Sequence, residues 1–347
     1  MLQIQRANQF EISPNKELIL FNLQKIKLEE GSAMNYEYDN QLWMADVQQN
    51  YALRQLTYSK EKTSQATFSP DGKSILFVRP SNGKPQLFLM QLSGGEPLQL
   101  TDFKYGVNNP KWSPDGKKII FSSTIKIEEM AQDSTLGLLK GLPEWSSEKP
   151  GFTDNSYLNA PLGKADPNGN LTEIRAYLNQ NEKEHKAKVI NKLQFQGEAS
   201  ASGELRFNHL FIIDIAKAKP RAITSGFNSY VDPYFTNNNE IVVSAKFDDK
   251  IFPDRLLETG IFKINLDSKQ VTLLYGTKGK AFEIASVSPS GKYLIYAESE
   301  IATPNIPKLK VIDLPTSKEI YTINLDRNTD HFKWTDKEDF VYFTIQS

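Results

Sequence analysis

A short phrase recurs along the chain, and its spacing constrains the fold more than any other feature. Ser13-Pro-Asn-Lys16, Ser69-Pro-Asp-Gly-Lys73, Ser113-Pro-Asp-Gly-Lys117 and Ser288-Pro-Ser-Gly-Lys292 are clear copies, and Thr236-Asn-Asn-Asn239 and Thr335-Asp-Lys-Glu338 are degenerate ones. An aromatic residue, Phe235 or Trp334, precedes each degenerate copy, and a strand-like run follows it. The six starts lie about 50 residues apart, except that roughly 70 extra residues separate 113 from 236. A fixed period of this size marks an array of units, each of which buries its faces against its neighbours.

Each copy reads as a tight turn. Proline presets φ at the first central position, Asp or Asn accepts local backbone bonds, and glycine takes a positive φ without steric cost. Short β-branched and aromatic runs follow, such as Ser74-Ile-Leu-Phe-Val78, Lys118-Ile-Ile-Phe-Ser122 and Tyr293-Leu-Ile-Tyr-Ala297, and predict second strands. Third strands recur as Gln41-Leu-Trp-Met-Ala-Asp46, Gln86-Leu-Phe-Leu-Met-Gln91, His209-Leu-Phe-Ile-Ile-Asp214 and Gly260-Ile-Phe-Lys-Ile-Asn265, and edge-like fourth strands include Pro97 to Thr101. Four antiparallel strands per unit describe a propeller blade. The expectation is an all-β β-propeller domain over 1–347, with five full blades and a sixth cut in half, because only two strands fit after Thr335. Both termini read as boundaries within a longer protein.

The extra residues of the third unit, approximately 124–206, differ in texture. Gly, Pro, Asn and Ser cluster from Gly137 to Asn170, a long irregular excursion of the kind that usually carries function. Leu171 to Lys188 then predicts a helix, with Ile174, Tyr177 and Leu178 on one face and Glu182/Lys186 and Glu184/Lys188 as i,i+4 pairs.

The chain has 347 residues, 41 Lys+Arg and 42 Asp+Glu, so its net charge of −1 offers no field for a nucleic acid or an acidic membrane. No apolar run is long enough for a membrane span. With no Cys and three scattered His (185, 209 and 331), thiolate chemistry is excluded and no metal site or cofactor is expected. No G-x-S-x-G elbow, phosphate-binding loop or H-E-x-x-H helix is present, so no catalytic residue is assigned. The candidate binding residues are Glu128 and Glu129, whose two carboxylates could hold a cationic amine. The competing reading is a solvated charged turn. His331 reads as a strand-entry residue, and the aromatic loop Met34 to Asp39 as a possible lining of a propeller mouth.

The stretch Ala66 to Val78 with Gln86 to Thr101 resembles the propeller of prolyl oligopeptidase-family serine peptidases, most of all the acylaminoacyl-peptidase and dipeptidyl-peptidase branch. The opening Leu2 to Ser13, the basic segment Lys183 to Leu193 and the resumption at Arg206 to Asp214 are similar to it too, while the turns are shared with TolB-type propellers. The resemblance implies an N-terminal propeller that restricts a C-terminal α/β-hydrolase domain to short peptides. That domain, with its Ser, Asp and His triad, would lie beyond this chain, which would be inactive alone. Glu128 and Glu129 are loosely similar to the Glu pair with which dipeptidyl peptidases hold the substrate amine. The resemblance leans toward a periplasmic or secreted protein. The alternative is a non-catalytic TolB-like propeller that docks a protein or glycan.

Overall fold

The computed structural model describes residues 5–28, 35–139, 145, 163–183, 190, 192–193, 195–196, 203–217, 219–248, 250–303 and 306–345. Five of its six sheets are four-stranded antiparallel meanders. The first blade contains β1 (Arg6–Ile12), β2 (Leu18–Leu28), β3 (Tyr36–Asp46) and β4 (Ala52–Gln55). The second contains β5 (Ser64–Phe68), β6 (Ser74–Ser81), β7 (Lys84–Gln91) and β8 (Leu98–Gln99). In the third, β9 (Asn108–Trp112) and β10 (Lys118–Lys126) precede the helices α1 (Ile127–Gln132) and α2 (Leu171–Lys183), and β11 (Arg206–Asp214) and β12 (Arg221–Ala222) complete the sheet. The fourth comprises β13 (Tyr230–Asn237), β14 (Glu240–Lys246), β15 (Thr259–Asn265) and β16 (Val271–Tyr275). The fifth comprises β17 (Lys280–Val287), β18 (Tyr293–Glu300), β19 (Lys308–Asp313) and β20 (Lys318–Ile323), and a two-stranded sheet, β21 (Thr329–Trp334) and β22 (Val341–Ile345), follows. Five full blades and a half match the expectation.

The repeated turns are built alike. In the second blade the Ser69 carbonyl accepts from Gly72 N (2.9 Å), Ser69 Oγ donates to Asp71 Oδ1 (2.6 Å) and accepts from Ser74 N (3.0 Å). Ser113 repeats all three bonds with Gly116, Asp115 and Lys118, and Ser13 with Lys16, Asn15 and Leu18. Gly72, Gly116 and Gly291 take φ of 68°, 68° and 74°, the left-handed region that costs other residues most. The degenerate copy at Thr236 is tighter: Asn237 pairs directly with Glu240, leaving a two-residue turn.

Second strands are apolar on both faces because each sheet is sandwiched. Ile75 and Phe77 pack with Leu20, Leu42 and Phe88 toward the first blade, while the alternate residues Leu76 and Val78 pack with Ile119, Phe121, Phe207 and Phe211 of the third. Ile120, Leu210 and Ile212 then meet Ile241 and Val243, and Val242 meets Phe282, Leu294 and Tyr296. Period-two alternation thus sends successive side chains to opposite neighbours. Between the fifth blade and the half-blade the contact includes Tyr293 stacked on Trp334, centroids 6.0 Å apart. At the turn face the first and last sheets meet through a Lys16–Asp336 ion pair.

Candidate functional site

The innermost strand of each blade departs from regular pairing four residues before its turn. Gln9, Gln65, Asn109, Asp232 and His331 all occupy that position and all take positive φ, between 49° and 56°. The β1/β2, β5/β6, β9/β10, β13/β14 and β21/β22 pairs shift register at the same place. Such bulges re-aim side chains. Here they form part of a belt across blades, because Gln9 Oε1 accepts from Gln65 N (3.0 Å) and Gln65 Oε1 accepts from Asn109 N (2.6 Å).

Two residues further on, the strands carry Glu11, Thr67, Lys111, Tyr234, Ser286 and Lys333. The first four line a cavity of about 370 Å³ whose walls come from the innermost strands and turns of five blades, with Pro14, Pro70, Pro114 and Pro289 among its lining residues. Glu11 Oε1 accepts from Thr67 Oγ1 (2.6 Å) and Phe68 N (3.1 Å). Burial raises the Glu11 pKa above the ordinary carboxylate value, against the pull of those two bonds and of the Lys111 and Lys333 charges. Lys111 Nζ sits 5.5 Å above the Tyr234 ring, and burial also raises the Tyr234 pKa, helped by Asp232. Trp334 Nε1 donates to Ser286 Oγ (3.0 Å). A second cavity, about 620 Å³, lies where the fifth blade meets the half-blade and has Glu283, Arg327, Asp330 and His331 in its walls.

The second-to-third strand connections all leave from the end opposite the repeated turns, as a meander requires, and the connection from β10 into α1 begins there. Its start is fixed to the core by the buried Met130 and Leu138, and Trp145 packs against Phe207, Phe227 and Phe252. Glu128 and Glu129 lie in the first turn of α1. Glu128 is exposed, whereas the half-buried Glu129 turns back so that its Oε2 accepts from Lys126 N (3.0 Å), a helix-capping bond. They do not line the axial cavity.

Other expectations need correction. Tyr36 to Asp39 belong to strand β3, paired with β2, rather than to a loop, and Tyr36 and Tyr38 are exposed on it; Met34 lies outside the described residues. The strand hairpin runs farther because Lys25, Lys27 and Leu28 continue to pair with Asp39, Glu37 and Tyr36. Helix α2 spans Leu171–Lys183, and its expected pairs with Lys186 and Lys188 fall outside the described residues. Of the face expected to be apolar, Ile174 and Tyr177 are half-buried and Leu178 is 44% exposed, while Ala176 is buried. Asn170 caps it, accepting from Thr172 N (3.0 Å) and Glu173 N (3.1 Å). Among the described residues no group of three His, Cys, Asp or Glu side chains could hold a metal ion. No helix of the described residues is long and apolar enough to cross a membrane. Nothing in the local sequence around Glu11 and Lys111 singles them out, although a constant offset of two residues before each turn marks the ring they belong to.

Comparison with known proteins agrees with this architecture. Residues 31–158 match the family profile described as TolB beta propeller domain. A 97-residue stretch is 31% identical to the uncharacterized peptidase YuxL of Bacillus subtilis, covering 28% of this chain and 15% of that protein. Among solved structures, acylaminoacyl peptidase from Pyrococcus horikoshii superposes with a TM-score of 0.62 at 15% identity, over 99% of this chain and 43% of that one. The β-propeller domain of the trilobed protease from Pyrococcus furiosus, described as having an open velcro topology, gives 0.56 at 14% identity over 99% and 80%. The chain thus spans less than half of the Pyrococcus horikoshii enzyme, and both peptidase propellers and TolB-like propellers are matched.

Proposed function

We propose that this chain is the substrate-gating propeller of a serine exo- or oligopeptidase of dipeptidyl or acylaminoacyl type, acting on short peptides. The observation that carries the reading is the axial cavity: about 370 Å³ walled by the inner strands of five blades, a volume suited to a small ligand and far too small for a folded protein. The local identity to a protein named as a peptidase supports it. The catalytic triad would belong to a partnering α/β-hydrolase domain, and the propeller would act by exclusion. Within this reading Glu128 and Glu129 would meet the substrate amine, with Glu128 the freer of the two because Glu129 already caps α1.

The test is to sequence the gene past codon 347 and assay the whole protein on aminoacyl- and dipeptidyl-linked chromogenic substrates with a serine-directed inhibitor. Inhibitor-sensitive hydrolysis is expected, and Glu128→Lys should raise KM for free-amine substrates while leaving N-blocked ones unchanged. A gene without a G-x-S-x-G segment, or no hydrolysis, overturns the reading. It would leave the alternative, a non-catalytic TolB-like propeller that docks a protein or glycan; the profile match over 31–158 is in keeping with the propeller type alone.

A further inference from the structure

The axial cavity holds two opposite charges that feel each other's field but make no direct ion pair. Glu11 and Lys111 both line it, and the Lys111 charge is felt at the Glu11 carboxyl, yet neither makes an ion pair within 4.0 Å among the described residues. The carboxylate is held through one oxygen by Thr67 and Phe68, which fixes its direction without cancelling its charge. The ammonium rests over the Tyr234 ring, a contact that steadies a cation but supplies no anion. Lys333, at the equivalent position of the half-blade, adds to the positive field felt by Glu11.

Charges partly withdrawn from water and held without a contacting counter-ion are costly, so the site favours whatever ligand contacts both. A simple anion would serve Lys111 and leave Glu11 facing it unpaired; a simple cation would do the reverse. We propose that the axial cavity binds the zwitterion of a short peptide, its terminal ammonium on Glu11 and its terminal carboxylate on Lys111. The volume of about 370 Å³ suits a molecule of that size, and the prolines among its lining residues supply apolar surface around it. This site is distinct from the one proposed at Glu128 and Glu129, which do not line the cavity, and the inference rests on the peptide-handling reading above only for the choice of ligand.

The experiment is isothermal titration of the 347-residue chain with glycylphenylalanine, its N-acetyl form, its C-terminal amide and the doubly blocked compound. Saturable binding of the free dipeptide is expected, with each block weakening it about tenfold or more, the loss of one charge-assisted bond. Glu11→Gln should then no longer distinguish the free amine from the N-acetyl form, and Lys111→Met should no longer distinguish carboxylate from amide. The blocked-ligand series uses the unaltered chain, so it decides the matter even if a variant fails to fold. No saturable binding, or equal affinity for blocked and free dipeptides, overturns the proposal. Hydrolysis by the whole protein without termini-dependent binding would end this inference alone. Termini-dependent binding in a protein with no hydrolase would uphold this inference and end the peptidase reading.

Discussion

His209 shows how one position is reused from blade to blade. In the first two blades a buried Gln within the third strand accepts from a threonine hydroxyl, Thr57 to Gln41 (2.8 Å) and Thr101 to Gln86 (2.7 Å). The same threonine oxygens accept from Leu42 N and Leu87 N. His209 takes this place in the third blade, its Nδ1 3.1 Å from Thr224 Oγ1, which accepts from Leu210 N. By that analogy Nδ1 accepts and the proton resides on Nε2. Burial drives the His209 pKa down to about 4, against the Gly226 backbone. The native state therefore keeps His209 neutral while the unfolded chain protonates it from about pH 6.5 downward. Stability attributable to this residue is complete above pH 6.5 and falls by about 3 kcal/mol as the pH drops to about 4. His209→Gln should match the parent at pH 7.5 and lose less stability at pH 4.5, as urea midpoints at the two pH values would show. Equal acid sensitivity in both proteins would refute it. Glycines separate in the same way. Gly83 and Gly291 have nearly the same φ, 73° and 74°, but a Cβ at Gly83 meets nothing within 4 Å, whereas at Gly291 it would lie 2.0 Å from the Thr236 carbonyl oxygen. Gly83→Ala should cost about 1 kcal/mol and Gly291→Ala at least about 3.

At the scale of elements, the inner strands do two jobs that regular strands could not combine. They hydrogen-bond outward to their own sheet and, through bulges, bond to the next inner strand. Gln65 is at the middle of that relay, donating its N–H to Gln9 and accepting from Asn109 N. Gln65→Ala keeps a positive-φ residue but removes the acceptor, so a loss of about 1 kcal/mol in chemical denaturation is expected. Gln65→Glu retains the acceptor and should restore most of it. The fourth strands β8 and β12 are two residues long, and their chain turns away into the Gln–Thr or His–Thr clasp immediately afterwards.

Across the whole molecule, stability rests on blade-to-blade packing far more than on the contact between first and last sheets. The four described apolar clusters each join neighbouring blades. The Lys16–Asp336 pair that joins the ends is exposed, 63% and 75% for its two side chains. Asp336→Ala should therefore cost under about 1 kcal/mol, less still at high salt. Glu338 makes a different kind of link: its two oxygens accept from Ser290 N (2.5 Å) and Ser290 Oγ (2.6 Å), tying the half-blade turn to the fifth. Glu338→Ala should lower the melting temperature more than Asp336→Ala does, and the opposite order would sink this ranking.

The sequence by itself determined the blade number, the order of strands and the excursion in the third blade, because turns and strands are local. A proline, an Asp and a glycine in register encode a turn, and an apolar run of five residues encodes a strand buried on both faces. It also placed Glu128 and Glu129 at the head of the excursion, but not the helix start that occupies Glu129. What only the tertiary structure decided was the axial site. Glu11, Thr67, Lys111 and Tyr234 lie up to 223 residues apart, and only the curvature of successive sheets about a common axis brings their inner strands to one cavity.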